Sequence, residues 1–153
     1  MALTLLIMTG CTPFVRYHDL TKEFIEQPNS TWVFSDEDLI VRFQSEKGPK
    51  FSWYFKNKSL LNLRIDQQYA AVYLENDPIA YTLWGEPKSE QQQFPILELV
   101  PGDFIEVGYP VLPSSPLFPF NRKQAVLVDL VITWNGKPTS YRLIIPARES
   151  KEV

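Results

Sequence analysis

The side chain in this chain best placed to do chemistry is the thiol of Cys11, the only cysteine. It follows an uncharged apolar run, Ala2-Leu3-Thr4-Leu5-Leu6-Ile7-Met8-Thr9-Gly10. Met8-Thr9-Gly10-Cys11 has the shape of a lipobox: a large apolar residue, two small ones, then a cysteine. In such a step the thiol takes up a diacylglyceryl group and the chain is cut just ahead of it. The first basic residue is Arg16, so a start upstream of Met1 is expected to supply the charged n-region and the rest of the apolar core. The competing reading is a buried N-terminal strand with an incidental cysteine. The small-small-Cys step followed by polar sequence favours the signal.

Other reactive constellations are sparse. His18 is the sole histidine and stands seven residues beyond Cys11, so a Ser-His-Asp triad or Cys-His pair would have to be built beside the lipid site. No HExxH, CxxC, GxSxG or phosphate-cradling glycine loop occurs. With one histidine and one cysteine, no zinc or copper site is expected. Asp36-Glu37-Asp38 and Glu75-Asn76-Asp77 fall between expected strands, where such residues make turns and stay solvated. Neither catalytic residue, metal nor cofactor is assigned.

Two apolar features could bind rather than react. In Phe51-Ser52-Trp53-Tyr54-Phe55 the alternation puts Phe51, Trp53 and Phe55 on one face, the core face, and leaves Tyr54 on the other. Tyr54, with Trp84 in a following loop, could stack against a ligand such as a sugar. Pro110-Val111-Leu112-Pro113-Ser114-Ser115-Pro116-Leu117-Phe118-Pro119-Phe120 is held extended by its prolines and carries Leu112, Leu117, Phe118 and Phe120. It reads either as a docking strip for another envelope protein or as a long crossover whose aromatics tuck into the core.

These residues must be positioned by strands. Leu39, Val41 and Phe43 alternate with Ile40 and Arg42, and Leu61, Leu63 and Ile65 with Asn62 and Arg64. Further strands are expected near residues 31–34, 70–74, 95–100 and 104–109. Residues 125–134 and 140–145 flank Asn135-Gly136, a strong hairpin signal, because a type I′ turn needs positive φ at both central positions. Residues 19–25 are expected to form at most a turn or two of helix, limited by Pro28. Thirteen prolines and repeated Asn, Asp and Gly punctuation argue for an all-β antiparallel sandwich of seven to nine strands. A closed barrel is the alternative, but the long gaps at 86–93 and 110–123 break the even rhythm a barrel needs.

Length and composition set the rest. The 153 residues hold one domain, and 44% hydrophobic with 22% charged residues describes a folded chain. The net charge of −3 offers no basic footprint, so nucleic acid is not an expected partner. After Cys11 no apolar stretch is long enough to span a bilayer, which leaves lipid as the means of membrane attachment. The expected organisation is a signal over 1–10, a lipidated N-terminus with a tether or packed arm over 11–30, the sandwich over 31–148 and a tail over 149–153.

The stretch Phe55-Lys56-Asn57-Lys58-Ser59-Leu60-Leu61-Asn62-Leu63-Arg64-Ile65-Asp66, with Pro101-Gly102 beyond it, resembles small bacterial lipoproteins of uncharacterised function that have an immunoglobulin-like sandwich. In those a strand ends at Asn-x-Ser, the next runs to an Ile-Asp-type end, and a Pro-Gly turn follows. The similarity covers residues 31–146; the strand-turn-strand pattern around the Asn is also similar to that of desiccation-related water-stress domains. The resemblance implies a fold, an envelope address and no catalytic residue. Thr12, where a retention signal would carry aspartate, implies the outer membrane if the cell has one. The expected function is a lipid-anchored, non-catalytic binding or assembly module with an envelope protein partner. The alternative is an envelope carbohydrate-binding protein or a carboxylate-based hydrolase.

Overall fold

A computed structural model describes residues 20–46, 50–89, 93–110 and 124–147. Cys11 and the signal before it, the 112–120 strip with Leu112, Leu117, Phe118 and Phe120, and the 149–153 tail lie outside the described residues.

Alternation decides the architecture. Trp32 and Phe34, then Leu39, Val41 and Phe43, then Trp53 and Phe55 are buried, as are Leu63 and Ile65, and Val126, Val128, Leu130 and Ile132. Each set lies at every second position of its strand and so shares one face, and two such faces closed on each other form a single core. The result is an all-β sandwich of two sheets.

The first sheet runs β1 (Leu20–Glu23), β11 (Lys137–Ile145), β10 (Val126–Trp134), β6 (Leu63–Asp66) and β8 (Ile96–Leu99), with β7 (Ala71–Leu74) pairing further along β10. The second runs β2 (Ile25–Gln27), β3 (Thr31–Ser35), β4 (Leu39–Glu46), β5 (Lys50–Asn57) and β9 (Phe104–Pro110). All ladders among the described residues are antiparallel except that of β1 with β11. Edge strands β8 and β9 are joined by the short turn over 100–103, so they border the same side of the sandwich.

Among the described residues eleven strands stand where seven to nine were expected, and part of the surplus comes from residues 20–27. The turn or two of helix expected over 19–25 is corrected: the segment is extended, β1 on one sheet and β2 on the other. So short a run cannot repay helix nucleation, whereas two sheet edges offer it backbone partners at once. Phe24 crosses between the layers, buried, its N–H donating to the Ile144 carbonyl at 2.8 Å.

The β10–β11 turn has the geometry its sequence demands: Asn135 at φ 46° and Gly136 at φ 84°. The connection from β7 to β8 is less open than its composition suggests. Tyr81 bridges Val72 and Pro87, Tyr81 and Leu83 are buried, and the Leu83 carbonyl accepts from Nε1 of buried Trp53 at 2.7 Å. This segment closes over the core between the sheets.

Burial, with the Asp77 carboxylate as a second cause, raises the Tyr81 phenol above its ordinary value. The folded state therefore keeps this proton at a pH where the unfolded chain, ionising near 10, has lost it. The associated stability is whole below that pH and is lost as pH rises through the folded value. Tyr81→Phe should remove a phenolate that forms above the ordinary tyrosine range from an alkaline absorbance titration and lessen the alkaline fall in stability; an unchanged titration would refute this.

Candidate functional site

Two places depart from the apolar-in, polar-out pattern. The first is on the outer face of the six-stranded sheet, where Asp129 in β10 is only 5% exposed although its neighbours Val128 and Leu130 fill the core. β11 pairs Asp129 with Arg142, whose Nε and Nη2 donate to Oδ1 and Oδ2 at 2.7 and 2.8 Å. Such a bidentate fork fixes both groups. The hydrogen bond to Asp129 raises the guanidinium's pKa, desolvation opposes it, and the Asp129 charge and Tyr73 add to the rise.

A concavity of about 480 Å³ opens above this pair. Its floor is Ala71, Asp129, Val131 and Ser140, and Tyr69 and Tyr73 stand among its walls. The first wall is the 3₁₀ turn Gln67–Tyr69, capped by Asp66, whose Oδ1 accepts from the Gln68 N–H. The opposite wall is the 79–88 segment, held there by Lys88, whose Nζ donates to the Gln68 and Ala70 carbonyls at 2.6 and 2.8 Å. Two phenols, a hydroxyl and a carboxylate around a small hollow suit the recognition of a polar ring: aromatic faces for C–H groups, fixed acceptors for hydroxyls. Asp129 has both oxygens committed to Arg142, which suits holding a ligand better than moving a proton.

The second departure is the end of the sandwich at the β10–β11 turn. Asn57 continues the inward row of Trp53 and Phe55 and is fully buried. Its Nδ2 donates to the carbonyls of Leu61 and Leu99, and its Oδ1 accepts from the Ser59 N–H and hydroxyl. The Asn57 carbonyl accepts from the Gly102 N–H, and Asn62 exchanges hydrogen bonds with Asn135. One amide thus ties the β5–β6 loop to the β8–β9 turn, and a second ties that loop to the β10–β11 hairpin. On this frame Leu60 is 92% exposed, Leu61 42%, Val100 60% and Phe104 57%.

The sequence candidates that are described do not meet in one site. Tyr54 points outward from the five-stranded sheet, half-buried, stacked on Phe104 at 5.5 Å with the Arg42 guanidinium 4.4 Å from its ring centre. Arg42 in turn pairs with Glu106 at 2.8 Å. Trp84 packs against the core and tilts on Phe94 at 6.0 Å. The turn carboxylates behave as their sequence implies: Asp36 Oδ1 accepts from the Asp38 and Leu39 N–H groups and Asp77 Oδ1 from that of Ile79. Among the described residues no three His, Cys, Asp or Glu side chains gather as a metal site.

The Asp129–Arg142 pair escaped the sequence reading, yet a signal exists. A two-residue turn at Asn135-Gly136 sets Trp134 opposite Lys137, and counting back from there sets Asp129 opposite Arg142. Asp129 is the lone charge of apolar β10, and Arg142 interrupts the apolar end of β11. No known family matches this chain, and no curated protein is found to be similar to it.

Proposed function

We propose that this chain is a lipid-anchored, non-catalytic binding module of the bacterial cell envelope, its immunoglobulin-like sandwich held at the membrane through lipid on Cys11. The observation that carries the reading is Met8-Thr9-Gly10-Cys11 placed just ahead of a sandwich. The address is the outer membrane if the cell has one. An envelope protein partner has two routes of approach: the border formed by β8 and β9, where an added strand would extend a sheet, and the proline-rich 110–120 strip with Leu112, Leu117, Phe118 and Phe120.

The test is membrane fractionation with intact mass measurement of wild type and Cys11→Ser, both expressed in a bacterial host from a verified upstream start. The wild type should be membrane-bound and diacylated, starting at Cys11. Cys11→Ser should be released with its unfolding midpoint unchanged. A wild-type chain that stays soluble and keeps Met1 refutes the reading.

A second reading, saccharide binding, is favoured by the Asp129 hollow with Tyr69, Tyr73 and Ser140. N-acetylglucosamine and galactose, probed by saturation-transfer NMR, should draw ring-proton signal that Tyr69→Ala abolishes. Tyr69 is 59% exposed, so its loss leaves the core intact. Equal signal from wild type and variant would rule out this hollow.

A further inference from the structure

Of eight exposed large hydrophobic side chains among the described residues, four stand at one end of the sandwich: Leu60, Leu61, Val100 and Phe104. So large an apolar share at one tip is a mark of a surface that meets something. The course of β1 says what. β1 runs parallel to β11, Leu20 beside Tyr141 and Glu23 beside Ile144, and β11 runs away from the Asn135-Gly136 turn. The chain therefore enters β1 from the turn end, the end that carries the four apolar side chains.

Reach agrees with direction. From Lys137, at the turn, to Tyr141 is four steps of strand, about 13 Å. Cys11 precedes Leu20 by nine steps, a chain length that spans at most about 30 Å. A lipid on Cys11 can therefore lie in the plane of this tip.

Resting on the lipid-anchored reading, we infer that the Leu60, Leu61, Val100 and Phe104 tip is a bilayer contact that seats the sandwich end-on against the membrane carrying its lipid. The acyl chains supply the attachment and the tip fixes the orientation. Asn57 makes this possible by holding the loops from within, so that leucines are displayed on a rigid frame. Charge does not drive the contact: Asp36, Glu37, Asp38 and Asp103 lie at this end with Lys58, Arg64 and Lys137. A neutral phosphatidylcholine surface should therefore suffice. Seated so, the strands stand along the membrane normal, and the β8–β9 border and the Asp129 hollow face sideways, open to partners.

The experiment uses the full-length precursor, expressed, processed and placed in phosphatidylcholine vesicles, with an environment-sensitive fluorophore on the thiol introduced by Leu60→Cys. Asn76→Cys, in the exposed turn after β7 at the opposite end, is the control. Both positions are solvent-facing, and unchanged unfolding midpoints will verify that both variants fold. Leu60→Cys should give blue-shifted emission quenched by spin-labelled lipid, and Asn76→Cys neither. A chain shown by mass to be diacylated, with both probes reporting water, overturns the bilayer contact and leaves the lipoprotein reading standing. A Leu60 probe shielded in native membranes but not in pure lipid overturns it in favour of a protein partner. A chain that is never acylated overturns both.

Discussion

Asn57→Ala is expected to cost the fold about 4 kcal/mol, measured as the loss of unfolding free energy in urea. The side chain is fully buried and makes four hydrogen bonds, two given by Nδ2 and two received by Oδ1. Alanine removes all four and leaves carbonyls and a hydroxyl facing a space that water does not readily enter. Each buried polar group stranded in this way costs on the order of 1–3 kcal/mol. Asn57→Asp should do no better, since it keeps the acceptors, loses the donors to Leu61 and Leu99, and buries a charge. Ser59→Ala removes one of the four Asn57 hydrogen bonds, together with the hydroxyl's contacts to the part-buried Leu61 N–H and carbonyl, and should cost about 1–2 kcal/mol. The loss should also be felt locally, as faster proteolysis between Lys58 and Asn62. A cost for Asn57→Ala no larger than that of Ser59→Ala would show that the loops hold themselves.

That residue also shows how far the sequence reaches. Asn57 is the fourth member of a period-two row, Phe51, Trp53, Phe55, Asn57, and a polar residue at the end of a core-facing row is a recognisable sign of a buried cross-link. Its one remote side-chain partner, the Leu99 carbonyl, is not legible, because it depends on where β8 ends across the sandwich from β5. The same division holds elsewhere. Strands β3 to β11 follow from local alternation, and the β10–β11 register from the two residues of its turn. The parallel seating of β1 on β11 is non-local and leaves no mark on Leu20-Thr21-Lys22-Glu23, whose exposed edge imposes little pattern.

The surroundings of the outward-facing aromatic side chains are less legible in the sequence, for a related reason. Alternation puts Tyr54 on the outer face, but what stands around it is set by β4 and β9, which bring Arg42, Phe104 and Glu106. The sequence reads Trp84 as a loop residue, and Pro78 and Pro87 leave no strand rhythm around it. The segment nevertheless buries Tyr81 and Leu83, and Trp84 follows them against the core. The Asp129 hollow needs three non-adjacent pieces, a 3₁₀ turn, a closing segment and a hairpin face, and only the last is written in a continuous stretch.

Arg142→Met should destabilise the protein by about 2–3 kcal/mol, below the range for one partner of a fully buried ion pair because this pair is part-buried. The asymmetry of the pair decides which substitution hurts. The Arg142 side chain is 29% exposed and that of Asp129 only 8%. Losing the arginine therefore leaves a carboxylate with little access to water, whereas losing the aspartate leaves a guanidinium that can partly hydrate. Asp129→Asn should accordingly cost less than Arg142→Met. The double variant Asp129→Leu with Arg142→Met replaces both charges by apolar groups on facing positions of one hairpin, and its stability should return to within about 1 kcal/mol of wild type. Alkali is a poor substitute for the mutation. The guanidinium's pKa is raised in the fold, so its contribution is whole below the unfolded value and declines only as pH climbs through the still higher folded one. A urea double-mutant cycle therefore isolates the pair where pH cannot. A coupling energy near zero would mean that Asp129 is sustained by its other surroundings in the hollow; a large one makes the Asp129–Arg142 fork the fixed floor on which any ligand there must rest.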